Sequence, residues 1–201
     1  MRNPRDGPDL LRHTLEPMSS TQAKLPKALF LLLAVWALIY FSHYYPLLPK
    51  VVASHFDRHG IANGWQTKQG FFEVLGGMTV LSAFLVFGVP ALVSVIPSQF
   101  INLPNKDYWL APEQRAGSMQ FLSGWFAWFG CAVYLVIILT FDYAIQTNLH
   151  SPNGPNPARL WYTLAGFAGC TGIWTIRLLR RFGRPARRLD REAEGPERFR
   201  G

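Results

Sequence analysis

Cysteine is nearly missing from this sequence: two occur in 201 residues, Cys131 and Cys170, both inside long apolar runs. A disulfide framework needs cysteines in the aqueous loops of an oxidising compartment. The chain is therefore not a disulfide-stapled fold, and both cysteines read as small packing residues. Acidic residues are scarce as well, 12 Asp and Glu against 20 Lys and Arg. In a soluble domain such an excess would suggest phosphate binding. Here the placement of the basic residues explains most of it, and no nucleic-acid partner is expected.

Ionisable side chains are absent from the middle of every long apolar run. Those runs are residues 28–45, 71–96, 119–141 and 160–179. About 20 consecutive apolar residues cross a hydrocarbon core of ~30 Å as a helix, and each run is apolar all round rather than along one face. The first run is no cleaved signal, since it ends Tyr40-Phe41-Ser42-His43-Tyr44-Tyr45, bulky where a signal peptidase needs small residues. The expectation is an all-α membrane protein, four transmembrane helices in an antiparallel bundle. Pumps and carriers place ionisable groups near the bilayer midplane. His43, Glu73 and Asp142 lie only near the ends of runs, which argues against proton-coupled transport.

Orientation follows from charge. Arg2, Arg5, Arg12, Lys24 and Lys27 precede the first run, Lys106 and Arg115 lie between the second and third, and nine more follow from Arg177 onward. Only Lys50, Arg58, Lys68 and Arg159 fall on the other side. Lys and Arg are retained preferentially in the cytoplasm, so both termini are expected there. Residues 1–27 then form a polar, disordered cytoplasmic segment, residues 28–180 a four-span domain, and residues 181–201 a basic, partly disordered tail. Arg177, Arg180, Arg181, Arg184, Arg187, Arg188 and Arg191 recur at steps of three and four. That stripe suits an anionic leaflet, at about 1 kcal/mol per basic residue near the surface, and serves equally as a plain stop-transfer anchor.

Within the runs, small residues over 165–172 and Gly76, Gly77, Gly124 and Gly130 permit close helix approach. Pro90 is expected to kink the second helix, because it cannot donate a backbone hydrogen bond. Trp125, Trp128, Trp161 and Tyr162 suit the aromatic belts at the membrane surfaces.

The outer loop, residues 46–70, is the candidate site. It carries turn signals at His59-Gly60 and Asn63-Gly64, and Val51 to Phe56 suits a short extended segment. His55, Asp57 and His59 form a His-x-Asp-x-His run. On a strand all three share a face and suit zinc, whereas on a helix only the two histidines align. On the alternative reading His55 and Asp57 hold the loop's own backbone turns. A His–Asp pair without a nucleophile or cofactor makes a poor catalyst, so no catalytic residue is assigned. Gly64 is expected to adopt positive φ, Trp65 to lie against the mouth of the bundle, and Lys68 to reach phosphates or Glu73.

Leu48-Pro49, His55-Phe56-Asp57, Gly60, Asn63-Gly64-Trp65 and Lys68 together resemble a bacterial membrane domain of unknown function. That domain also forms the N-terminal part of the Sdp-type toxin-immunity proteins. The resemblance spans about residues 28–75 and implies a bacterial cytoplasmic membrane, with a role in signalling or immunity-like protection. The inner loop, with Asn102, Pro104, Asn105, Lys106, Tyr108 and Trp109, is similar to a segment of short members of the same group. Physically it is a turn-rich connector whose aromatics suit the headgroup layer, or else a contact site for a partner.

Two functional classes follow. One is a non-enzymatic membrane protein whose ordered outer loop binds a ligand or peptide through His55, Asp57, Asn63, Gly64, Trp65 and Lys68. The other is a small membrane metalloprotein built on zinc at His55, Asp57 and His59. Membrane lipids, with an anionic leaflet at the arginine-rich tail, and a peptide or protein are the expected partners.

Overall fold

A computed structural model describes residues 20–150 and 155–183. The expectations for residues 1–19, for 151–154 of the third connector and for 184–201 of the tail lie outside these. Helix α1 (Ser20–Tyr44) begins ahead of the first apolar run, so Lys24 and Lys27 ride on its opening turns. Pro46 disfavours helical geometry at the residue before it, and the chain tightens into a 3₁₀ turn at Tyr45–Leu47.

Strands β1 (Val51–Phe56) and β2 (Ala62–Thr67) then pair antiparallel, with Val52 opposite Gln66 and Ala53 opposite Trp65. This hairpin corrects the all-helical expectation. Thr67 caps the next helix, its hydroxyl accepting from the Gly70 amide at 3.1 Å.

The second apolar run is helix α2 (Lys68–Ala83), a π-helical stretch over Phe84–Gly88, and helix α3 (Val89–Val95). The cause is Pro90. Its ring collides with the carbonyl four residues back, and the helix widens just ahead of it, the Val89 amide reaching back five residues to Phe84. The Pro90 carbonyl accepts from the Ser94 and Ser123 hydroxyls. Short helix α4 (Lys106–Trp109) leads to helix α5 (Pro112–His150), which Pro112 opens, and then to helix α6 (Ala158–Phe182).

The runs 24–47, 68–95 and 112–150 are long and apolar enough to cross a membrane. This is a membrane-embedded protein. Helix α6 has the length, 25 residues, but its glycines, threonines and Arg177 leave it less apolar than the other three. Of the described elements, α5 is the hub, touching every other helix and β1. Phe30, Phe41, Phe71, Leu75, Tyr134 and Ile138 lie in the main buried cluster around it. The thiol of buried Cys131 donates to the Pro26 carbonyl, and Cys170 is exposed; neither is bridged.

Helix α6 lies along α5 through rings: Phe129 against Phe167, Trp125 stacked on Trp174 at 5.7 Å, and Phe121 against Phe182. Trp125 thus sits in the α5–α6 interface and not in a lipid-facing belt. The glycines of α6 do not serve that contact, since a Cβ at Gly166, Gly169 or Gly172 would meet nothing within 4 Å. Gly130 does have a packing role, because a Cβ there would come within 2.6 Å of Val86 Cγ2 and 3.1 Å of the Val86 amide nitrogen.

Gly130→Val should therefore destabilise the protein by about 1–3 kcal/mol through overpacking, read as a lower melting temperature in detergent. Gly77→Ala, at a position with open space, should leave it unchanged; equal effects would mean that the close approach at Gly130 carries no energy.

Candidate functional site

The hairpin is fastened to the helix ends beneath it by a few directional contacts. Asn148, in the last turn of α5, lays its amide along β1: Oδ1 accepts from the Ala53 N–H and Nδ2 donates to the Ala53 carbonyl, both at 2.8 Å. A side-chain amide here takes the place of a neighbouring strand. Val52 and Ala53 are buried, and Phe56 meets the Tyr143 ring edge-on at 5.5 Å. The Trp161 indole of α6 donates to the Arg58 carbonyl at 3.2 Å.

The turn closes on Asp57. Its Oδ1 accepts from the amides of His59 (2.8 Å) and Ile61 (2.9 Å), while its own N–H bonds the Ile61 carbonyl. Gly60 takes φ +77°, and a Cβ there would lie within 2.8 Å of Pro157 and of the Tyr143 hydroxyl. Positive φ and close approach both demand glycine at this point. The expectation of positive φ at Gly64 is corrected. Gly64 lies within β2 opposite His55, and a Cβ there would stand 2.9 Å from His55 Cβ. What it gives is room for the histidine across the strands.

Trp65 does not lie against the bundle: it is 62% exposed. Both backbone polar groups of Ala53 go to Asn148, so Ala53 and Trp65 form a non-hydrogen-bonded pair. The Trp65 N–H and C=O consequently point to the outer edge of β2, where no described residue meets them. Asn63 is exposed as well, and His55 is exposed on the face of Gly64, opposite that of Trp65. Lys68 opens α2; its Nζ donates to the Leu48 carbonyl at 3.1 Å and lies 4.6 Å from the Tyr45 ring centroid. Glu73 instead accepts from Gln69.

The metal arrangement expected of His55, Asp57 and His59 does not form, and among the described residues no group of three or more His, Cys, Asp or Glu is placed to hold an ion. Asp57 faces backbone amides, and His59 Nε2 accepts from Arg58 Nε at 2.9 Å. A register shift on either side of His55 further breaks the alternation that would have aligned the run.

One cluster escaped the sequence. Buried Asp142 accepts from the Tyr40 hydroxyl of α1 at 2.5 Å and from Gln146 Nε2, and pairs with Arg159 of α6 at 2.5 Å. It ties three helices together at the hairpin end, with both carboxylate oxygens engaged. The signal was present in opposite charges at the two ends of the third connector.

The motif over residues 102–109 divides. Asn102 and Pro104 are exposed. Asn105, at φ +53°, donates through Nδ2 to the Phe182 carbonyl at 2.9 Å, and the Trp109 indole donates to the same oxygen at 3.1 Å. Trp109 is buried edge-on against Phe182, with Tyr108 against its own ring. Trp109 therefore caps the last turn of α6 and does not lie in a headgroup layer; Lys106 is exposed. Arg115 likewise caps α3 through the Ile96 carbonyl and the Ser98 hydroxyl.

Residues 29–79 match the family described as Domain of unknown function (DUF1648). That stretch is most of α1, the hairpin and the first turns of α2. Neither a curated protein nor a solved structure matches the chain.

The two amides on Asp57, Ile61 first, hold its carboxyl below its ordinary value. A depressed folded-state pKa gives stability that is present above the unfolded value and lost as pH falls through the folded one. Amide protection at His59 and Ile61 should thus be constant from neutral pH down to about 4 and decline below it. In Asp57→Asn, which keeps an acceptor but no charge, the acid loss should vanish; hydrogen exchange showing the same decline in both would remove Asp57 as its source.

Proposed function

We propose that this chain is a non-enzymatic, four-span protein of a bacterial cytoplasmic membrane, with both termini inside. Its outer hairpin recognises a peptide or protein ligand, in signalling or immunity-like protection. The observation that carries recognition is Trp65. One residue offers an exposed indole on the strand face and an unpaired peptide group on the strand edge, on a hairpin fastened to α5 and α6. Extended peptides add to such edges through main-chain hydrogen bonds, and tryptophan is a common anchor of binding energy. Asn63 is exposed two residues away on the same strand, and His55 on the opposite face, while Asp57 and Gly64 build the hairpin.

Two arguments support the fourth span and the orientation. Helix α6 meets α5 at Asp142 and again at Phe121, ~32 Å apart along a helix, the thickness of a hydrocarbon core. Sixteen of the twenty basic residues then fall on the side of the termini. Exposed Arg177 and Arg180 suit an anionic inner leaflet.

Peptides selected from a displayed random library on the protein in nanodiscs should bind Trp65→Ala about thirtyfold more weakly than wild type. Equal binding to both would defeat recognition through this edge. Reporter fusions after Arg115 and Arg184 should read cytoplasmic, and fusions after Gly64 and Asn153 exported. An exported signal after Arg184 would leave only three crossings.

A further inference from the structure

A second site lies within the hydrocarbon, and we infer that it holds one acyl chain of an anionic phospholipid whose phosphate meets Lys68. Between α1 and α2 runs a cleft of about 590 Å³, lined by Leu31, Leu38, Phe41, Tyr45, Leu75 and Gly76 among others. A Cβ at Gly76 would meet nothing within 4 Å, so the missing side chain opens the cleft without serving any helix contact. From Leu31 to Tyr45 it extends ~21 Å along α1 and the turn after it, about two-thirds of a ~30 Å hydrocarbon core.

Lipid fills any groove facing hydrocarbon, and apolar fit by itself brings no preference there, because lipid tails are as apolar as the lining. The distinguishing feature is a cation at one mouth. Tyr45 lines that end, and Lys68 Nζ stands 4.6 Å from its ring centroid. The bond to the Leu48 carbonyl engages one of three ammonium donors and leaves two for a phosphate. Lys50, exposed and joined to Lys68 through its backbone carbonyl, adds positive charge beside it. The nearest carboxylate in sequence, Glu73, is engaged by Gln69 at 2.8 Å. A chain in the cleft and a phosphate at its mouth are the two halves of one phospholipid.

The full chain, equilibrated in detergent with equal amounts of phosphatidylglycerol and phosphatidylethanolamine, can be weighed by native mass spectrometry. One retained phosphatidylglycerol is expected, favoured about fivefold, the factor one basic residue near an anionic headgroup contributes. Lys68→Gln should abolish that preference and Lys68→Arg keep it. Gly76→Leu should empty the cleft at an unchanged melting temperature; should the larger side chain unsettle the fold, the partial loss expected of Gly76→Ala decides. Undiminished retention in the Gly76 variants, or equal retention of the two lipids by wild type, overturns the site. So does displacement by glycerol phosphate, which has the headgroup chemistry without chains and would mean a simple anion site.

Discussion

A helix of 39 residues is ~58 Å long, and the hydrocarbon it crosses is ~30 Å thick. Nearly half of α5 must therefore stand outside the core, and the rest of the structure is arranged around the two overhangs. At one end the overhang carries Asp142, Tyr143, Gln146 and Asn148, which bind α1, α6 and the hairpin. At the other, Met119 and Leu122 form the floor on which Trp109 and Phe182 pack. Between Arg115 and Asp142 there is no charge at all, so the polar fastenings fall where water or headgroups can solvate their exposed sides.

The division between what the sequence disclosed and what it concealed follows the range of the interactions involved. Membrane crossing is a matter of composition summed over a window, and the three most apolar helices were legible at once. Strand β1 was legible because Val51–Phe56 is an extended-favouring run. Strand β2 was not: Asn63-Gly64 reads as a turn in isolation, yet the turn is made at Asp57–Ile61, where Gly60 alone satisfies both the backbone and the approach of Pro157. Trp109 reads as a membrane-surface aromatic in its own segment because nothing there announces Phe182, which lies 73 residues away along the chain.

The outer loop was legible as a segment, but the structural roles of its residues were not. His55, Asn63 and Trp65 are exposed, with His55 and Trp65 on opposite faces of the hairpin, while Asp57 and Gly64 serve its turn and its strand pairing. A carboxylate between two histidines suggests an ion when only spacing is visible. Once the strand pairing bends at His55, the same carboxylate faces backbone amides, whose partial positive charge gives it a neutralising partner without a metal. The counterpart of that charge is the main chain.

Helix α6 does not end in a left-handed glycine cap. Gly183 follows it at φ −79° rather than in the left-handed conformation usual for a helix-ending glycine, and the terminal carbonyl is bound instead by Asn105 and Trp109. Its other end is held by Asp142. These partners precede it in the chain, so during synthesis they are in place before α6, the last of the described helices, leaves the ribosome. The order of translation is thus also an order of assembly: a hub and its receptor surfaces first, and a closing helix that finds both of its berths already made.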